Sequence, residues 1–281
     1  MKLDLFRLSL LPREQVDAFE LRGAGDRPLT REECLRLIFG RPFVFQHKGG
    51  EMHYVPLPPN SQHPTIMIGR VGRRLKVVEN EPPEAGLGEM QHPYWKAMTV
   101  LIDPSHHADG QKFAIEHQFR VGKTTAVANS LSEYLNHSEP PLPFAVEISA
   151  IADPATFWEF VRENRGEVTS VTFELIAPNM FGQRNDLDRE MRDLRDNEKA
   201  RRAKLQLENP DGLELETPRV KETVAYTVEG GGAIKAKTKS KKRYNSDNKI
   251  RRVVVPESLD GISQLLPLEK VARAIILVFK E

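Results

Sequence analysis

Lys235, Lys237, Lys239 and Lys241 fall at alternate positions in "IKAKTKSKK". Alternate residues of an extended strand share one face, so four ammonium groups would stand in a row about 6.5–7 Å apart. Such a row repels itself in the free protein and becomes favourable when phosphates replace its counterions. Lys242 and Arg243 prolong the run, Lys249, Arg251 and Arg252 return on what reads as the next strand, and Tyr244 offers a ring for base stacking. Between Lys235 and Arg252 there are nine Lys or Arg residues and one acid, Asp247, in a chain of net charge +1; the remainder is net acidic. The chemistry this suggests is a sequence-indifferent grip on RNA or DNA phosphates. The competing readings are a lysine-protected sheet edge and a segment that docks on an acidic partner or surface.

A second cluster could do bond-breaking chemistry: Asp103, His106, His107, Asp109, Glu116 and His117. Adjacent histidines flanked by aspartates suggest metal ligands, with Glu116 or His117 as a base, and hence a nuclease that uses the basic hairpin to hold its substrate. Mg²⁺ enters only on that alternative. Adjacent side chains seldom share one ion, no HExxH or facial-triad spacing is present, and Glu116 and His117 must point to opposite faces of a regular strand. A non-catalytic binder without metal or cofactor is therefore expected. His47 and His53 flank Gly49-Gly50 and would face each other across a hairpin, while Trp95 and Trp158 are expected at core or interface positions.

"HQFRVGKTT" ends like a phosphate loop. G-x-x-x-x-G-K-[ST] needs a first glycine where this chain has His117, and without a glycine-rich turn the backbone cannot surround phosphates. The expectation is a helix N-terminus capped by Thr124 or Thr125, and no NTPase.

The elements that must hold these groups read as follows. "KLDLFRLSL" suggests a strand with a shift near Phe6; Thr30-x-x-Glu33 is a capping box opening a short helix. "FVFQHKGGEMHYVPL" is a hairpin turning at Gly49-Gly50, "TIMIGRVGRRLKVVE" reads as a strand pair around Gly72, and residues 80–93 read as a loop. Strands follow at 98–103 and 111–119, then a helix carrying Val127, Leu131, Tyr134 and Leu135. Phe144–Ile148, a helix opened by Asp153-Pro154, and Val171–Leu175 resemble a βαβ crossover. A charged helix is expected over 185–207, with "VKETVAYTVE" as a strand before Gly230–Gly232. "IRRVVVPE" and "ARAIILVF" read as the last strands, the latter with a helical alternative. This order predicts an α+β fold of mostly antiparallel sheets with interspersed helices, and a possible ferredoxin-like module between 98 and 177. Residues 1–95 read as an N-terminal β-rich region and 96–281 as an α+β region carrying the basic hairpin at 229–255, with one continuous domain as the alternative. No apolar run approaches a membrane span, a lone cysteine rules out an internal disulfide, and a cytoplasmic location without membrane partners is expected.

"IDPSHHADGQKFAIEHQF" with the helix ending "LSEYLN" resembles a segment of uncharacterised bacterial proteins carried by mobile elements and phage-defence loci, over residues 98–136. The resemblance implies an antiviral setting and carries no catalytic residues. A fold-level analogy to CRISPR RNA-processing proteins rests on the glycine run preceding a basic strand. The resulting expectation is a nucleic-acid-binding protein of a defence system. Its alternatives are a nuclease built on 103–117 and an interaction subunit of a complex or homo-oligomer.

Overall fold

The computed structural model describes residues 1–13, 27–105, 107, 110–176, 186–255 and 267–279. In chain order the elements are β1 (Lys2–Pro12), α1 (Arg31–Phe39), β2 (Phe43–His47), β3 (Gly50–Leu57), β4 (Met67–Asn80), β5 (Glu89–Asp103), β6 (Gln111–Glu116), α2 (Thr124–Asn136) and β7 (Phe144–Ala150). There follow α3 (Pro154–Glu163), β8 (Val168–Ile176), α4 (Asp186–Glu198), β9 (Arg202–Glu208), α5 (Pro218–Tyr226), β10 (Gly232–Thr238), β11 (Arg243–Asn245), β12 (Arg252–Val254) and α6 (Pro267–Phe279).

The strands form two antiparallel sheets. The first has the order β12-β1-β6-β5-β4-β3-β2, with β7 pairing the second half of β1; the second has the order β11-β10-β8-β9. The α+β expectation holds. The first sheet curls around α2, whose Val127, Leu131 and Leu135 are buried with Phe45, Met52 and Tyr54 from one end and Val146 and Ile148 from the other. α1 packs Leu35, Ile38 and Phe39 into the same core, and its capping box forms as expected between Thr30 and Glu33. On the outer face α6 covers Leu3, Leu5, Ile68 and Leu101. The second sheet buries Val171, Phe173 and Ile234 beneath α3, α4 and α5; its other face is open toward the β10–β11 turn and at its opposite end borders a cleft beside α2 and β7.

Several expectations are corrected. β1 runs without a shift: Leu3 and Leu5 pack outward under α6 and Phe6, Leu8 and Leu10 inward, so burial of both faces disguises the alternation. The first hairpin turns on Lys48-Gly49, both at positive φ (48° and 76°), one residue earlier than the glycine pair suggests. β4 passes straight through Gly72, which lies opposite Ala97, and pairs with β5 from Met67–Ile102 out to Asn80–Glu89, so the loop expected at 80–93 shortens to residues 81–88. Residue 95 lies inside β5, and β1 joins β6 and β7, so residues on both sides of 95 share one sheet. β7 and β8 fall in different sheets, so they form no βαβ crossover, and the strands between 98 and 177 make no single ferredoxin-like module.

Three further corrections share a cause. The charged helix ends at Glu198; Lys199 takes positive φ (59°), and Ala203, Leu205 and Leu207 alternate along a strand, which separates Glu198 from Arg202. "VKETVAYTVE" is helical: Thr217 caps it, Pro218 begins it, and Val220, Thr223 and Val224 repeat at helical spacing despite their β-branched side chains. "ARAIILVF" takes its helical alternative as the end of α6, which buries Val271, Ala274 and Ile275 along one side. In each case a packed face overrides local propensity.

Leu131 is 1% exposed at the centre of the curled sheet. Leu131→Ala should lower unfolding free energy in urea by about 2–5 kcal/mol. A loss below about 1 kcal/mol would mean that the sheet does not depend on this helix.

Candidate nucleic-acid interface and a buried carboxylate pocket

β10 is held between β11 and β8. Its inward residues, Ile234 and Ala236, are buried, and its outward ones, Lys235 and Lys237, are exposed. Register places Lys237 directly opposite Arg243 of β11, and Lys235 opposite Asn245. On the other side of β10 lie Ser170 and Thr172, and beyond them Glu208, Gln206 and Lys204 of β9. The face is therefore polar throughout and richest in cations where β10 turns into β11. Gly230 and Gly232, both at positive φ (88° and 146°), lead into β10 where Arg7 and the Glu174 carbonyl leave no room for a side chain. The glycine run serves internal packing here.

The lysine row is shorter than the alternation suggests. The strand ends at Thr238, and Lys239, Lys241 and Lys242 belong to the turn, where Lys241 has φ 65°. Lys235 pairs with Glu174, Lys239 Nζ donates to the Asp211 carbonyl at 3.0 Å, and Lys242 Nζ donates to Asn164 Oδ1 at 3.1 Å. The side chains of Lys237, Lys241 and Arg243 have no partner among the described residues. Tyr244 points the other way. It is 4% exposed, packs on Phe157 and Phe160, and shares a hydrogen bond with Thr156, so it is unavailable for stacking. Lys249, Arg251 and Arg252 lie outside the hairpin, because β12 belongs to the first sheet beside β1.

The second cluster comes apart in the same way. Asp103 and Glu116 sit at opposite ends of the β5–β6 pairing, and β6 is about 16 Å long at the usual rise per residue. Asp103 accepts from the Ser105 amide, and its Oδ2 lies 2.8 Å from His107 Nε2. Burial would raise the Asp103 pKa, but these hydrogen bonds and the histidine outweigh it and hold the carboxyl below its ordinary value. Glu116 accepts from the Thr99 amide at 2.9 Å. His106 and Asp109 lie outside the described residues. His47 is buried with Nδ1 2.9 Å from Ser130 Oγ, its pKa lowered by burial and then by Lys48 and Arg73, while His53 faces outward. Burial pushes the Cys34 thiol up to about 12, which removes it as a nucleophile. Among the described residues no three His, Cys, Asp or Glu side chains are grouped to hold a metal.

His117 instead meets a residue that the sequence pattern hid. Asp4, 1% exposed on β1, accepts from Thr124 Oγ1 at 2.6 Å and from Arg252 Nε at 2.6 Å. His117 Nδ1 lies 3.5 Å from Asp4 Oδ2 and 3.3 Å from Arg252 Nη2. Nδ1 can donate to Asp4 or accept from Arg252, and the first arrangement leaves Nε2 free to take a proton. These residues line a pocket of about 620 Å³ with Lys123, Lys249 and Arg251. The GKTT segment thus supplies Thr124 to a carboxylate and Lys123 to a pocket wall, with Lys123 Nζ donating to Asn248 Oδ1 at 2.7 Å. The start of α2 is Lys123, and no side chain caps it, contrary to the expected threonine cap. A neighbouring cleft of about 510 Å³ runs from Lys123 and Asn129 of α2 to Glu174 and Arg202 of the second sheet, where Arg202 bridges to Glu147 of β7. The one legible hint of Asp4 was an acid among the leucines of β1.

Fold and sites define a two-sheet α+β protein whose smaller sheet exposes a cationic face. No protein-family model, curated protein or solved structure matches the chain. No helix among the described residues is long and apolar enough to cross a membrane.

Asp247 lines both cavities, and its pKa is raised, first by burial and then by Glu174, against the opposing pull of Lys235 and Lys123. A raised folded-state pKa favours folding fully only below the ordinary aspartate value, and that advantage is lost as pH rises through the folded value. Asp247→Asn should therefore be more stable than wild type near pH 7, with the gap closing as pH falls toward about 4. Thermal melts across that range check it; a gap that widens in acid would refute the sign.

Proposed function

We propose that the protein binds nucleic acid through the uncovered face and turn of its second sheet, gripping phosphates with little sequence preference. The observation that carries this reading is the cross-strand pair Lys237–Arg243, two cations directly opposed on an open face with Lys241 beyond them. Like charges in that position cost stability, and phosphate relieves the cost. Because Tyr244 faces the core, the hairpin contributes charge and no stacking. We propose a defence setting as well, on the sequence pattern of residues 98–136 alone.

Replacing Lys237, Lys239, Lys241 and Arg243 together by Gln should flatten the salt dependence of single-strand binding by about three units of log K per log salt. Affinity near 0.15 M salt should fall about 10²-fold. Fluorescence anisotropy with labelled RNA and DNA over a salt series measures both, and an unchanged slope would remove the hairpin from the interface.

A second reading, a nuclease, is favoured by the contacts of His117. A histidine beside a buried carboxylate, with Lys123 and Arg252 in the same pocket, has the makings of a metal-independent site that takes a proton from an RNA 2′-hydroxyl. On this reading His117→Ala removes RNA cleavage at least 10²-fold on a denaturing gel with EDTA present, while His107→Ala leaves it unaltered. Intact RNA with the wild-type protein would end this reading and leave a binder.

A further inference from the structure

Beyond Gly72 the β4–β5 hairpin leaves β3 and continues as a two-stranded arm. Its inward residues, Val71 and Met98, belong to the core at the arm's base. The outward face, read along the register, carries Arg70 beside Thr99, Gly72 beside Ala97, Arg74 beside Trp95, and Lys76 beside Pro93. α6 covers this face only as far as Ile68 and Leu101. Trp95 is 57% exposed, an unusual position for the largest apolar side chain, and the His53 ring stands edge-on to it at 4.9 Å. Arg70, Arg74 and Lys76 are exposed, and their side chains have no hydrogen-bond or ion-pair partner among the described residues.

We infer that this face is a second binding surface, for single-stranded nucleic acid, with Trp95 as the platform on which a base stacks. The inference rests on the proposed nucleic-acid reading and deepens it. Three observations select the occupant. Gly72 and Ala97 present almost no side chain next to Trp95, so a planar group can lie flat against the indole. Arg74 and Lys76 are two residues apart, about 6.6 Å along the strand, a spacing that phosphates of an extended chain can follow. The face carries these cations close to the indole, while its acids, Glu51, Glu89 and Glu116, stand at its margins, so charge complementarity favours an anionic, aromatic ligand over a cationic or neutral one. Two copies joined through the same face would set Arg70, Arg74 and Lys76 against their counterparts. The surface also supplies the stacking that Tyr244 cannot.

The chain has two tryptophans, so Trp158→Phe leaves Trp95 as the sole indole reporter. Titrating that protein with an unlabelled 12-nucleotide oligo-U or oligo-dT should quench its emission saturably. Trp95→Ala and Arg74→Glu should each weaken binding of the labelled oligonucleotide about 10- to 100-fold, in the range of one lost base stack. Quenching together with that weakening supports the platform, even if glutamine at Lys237, Lys239, Lys241 and Arg243 leaves affinity untouched, in which case the hairpin reading alone fails. Oligonucleotide binding with unaltered Trp95 emission and wild-type affinity of Trp95→Ala overturns the platform and spares the hairpin. Emission that shifts with protein concentration in the absence of nucleic acid, together with a dimer in sedimentation, also overturns it by assigning the face to a second copy. No binding of either oligonucleotide at low salt overturns both.

Discussion

The carboxylate of Asp4 ties together parts of the chain that are far apart in sequence. Buried at the start of β1, it would cost several kcal/mol without partners. Its partners come from 120 and 248 residues away, Thr124 at the first turn of α2 and Arg252 on β12. The first contact seats α2 inside the curled sheet. The second holds β12 against β1 just after the chain has left the basic hairpin, so the second sheet is tethered to the first beside the same carboxylate. The position of Lys123 at the meeting of two cavities is a consequence. With Thr124 anchored inward, its neighbour is left on the surface of the groove between α2 and the second sheet.

What was legible in the sequence was local and had its signals close together. The capping box at Thr30–Glu33, the Asp153-Pro154 helix start and the β2–β3 hairpin needed only neighbours in the chain, and each formed. What was not legible depended on a distant face. Val220, Val224 and Val228 look like strand residues until a sheet is present to receive one side of a helix. Gly72 looks like a turn until Ala97 is set opposite it. The alternation that marked the lysine row was true of Lys235 and Lys237 and failed at Thr238, since strand length is set by pairing with β8 and β11 rather than by the residues of β10 alone.

Site residues followed the same division. Charge was visible in the sequence, but orientation was not. Tyr244 and Trp95 exchange the roles their surroundings suggest: the tyrosine inside the basic run is core, and the tryptophan expected at a core or interface position stands in solvent. Parity explains both. Tyr244 is opposite Ala236, an inward residue of β10, whereas Trp95 is opposite Arg74, on the face that α6 does not reach. The histidine cluster dissolved for a related reason. Residues 103–117 are close in sequence, but the extended strand β6 lies between the two ends, so they serve different neighbourhoods, Asp103 with His107 at one and His117 with Asp4 at the other.

The distribution of cations then has a physical logic. Inside the folded chain, most exposed positive groups near an acid are spent: Lys235 on Glu174, Arg202 on Glu147, Arg252 on Asp4. Lys237, Lys241 and Arg243 on one face, and Arg70, Arg74 and Lys76 on the other, stand apart from the acids that neutralise the rest. On the proposed reading, these two groups of cations, one of them around an exposed indole, are where a protein of nearly balanced charge would attract an extended polyanion. Steering by net charge is weak in such a molecule, so on the proposed nucleic-acid reading recognition would come at short range, through opposed cations and an aromatic face.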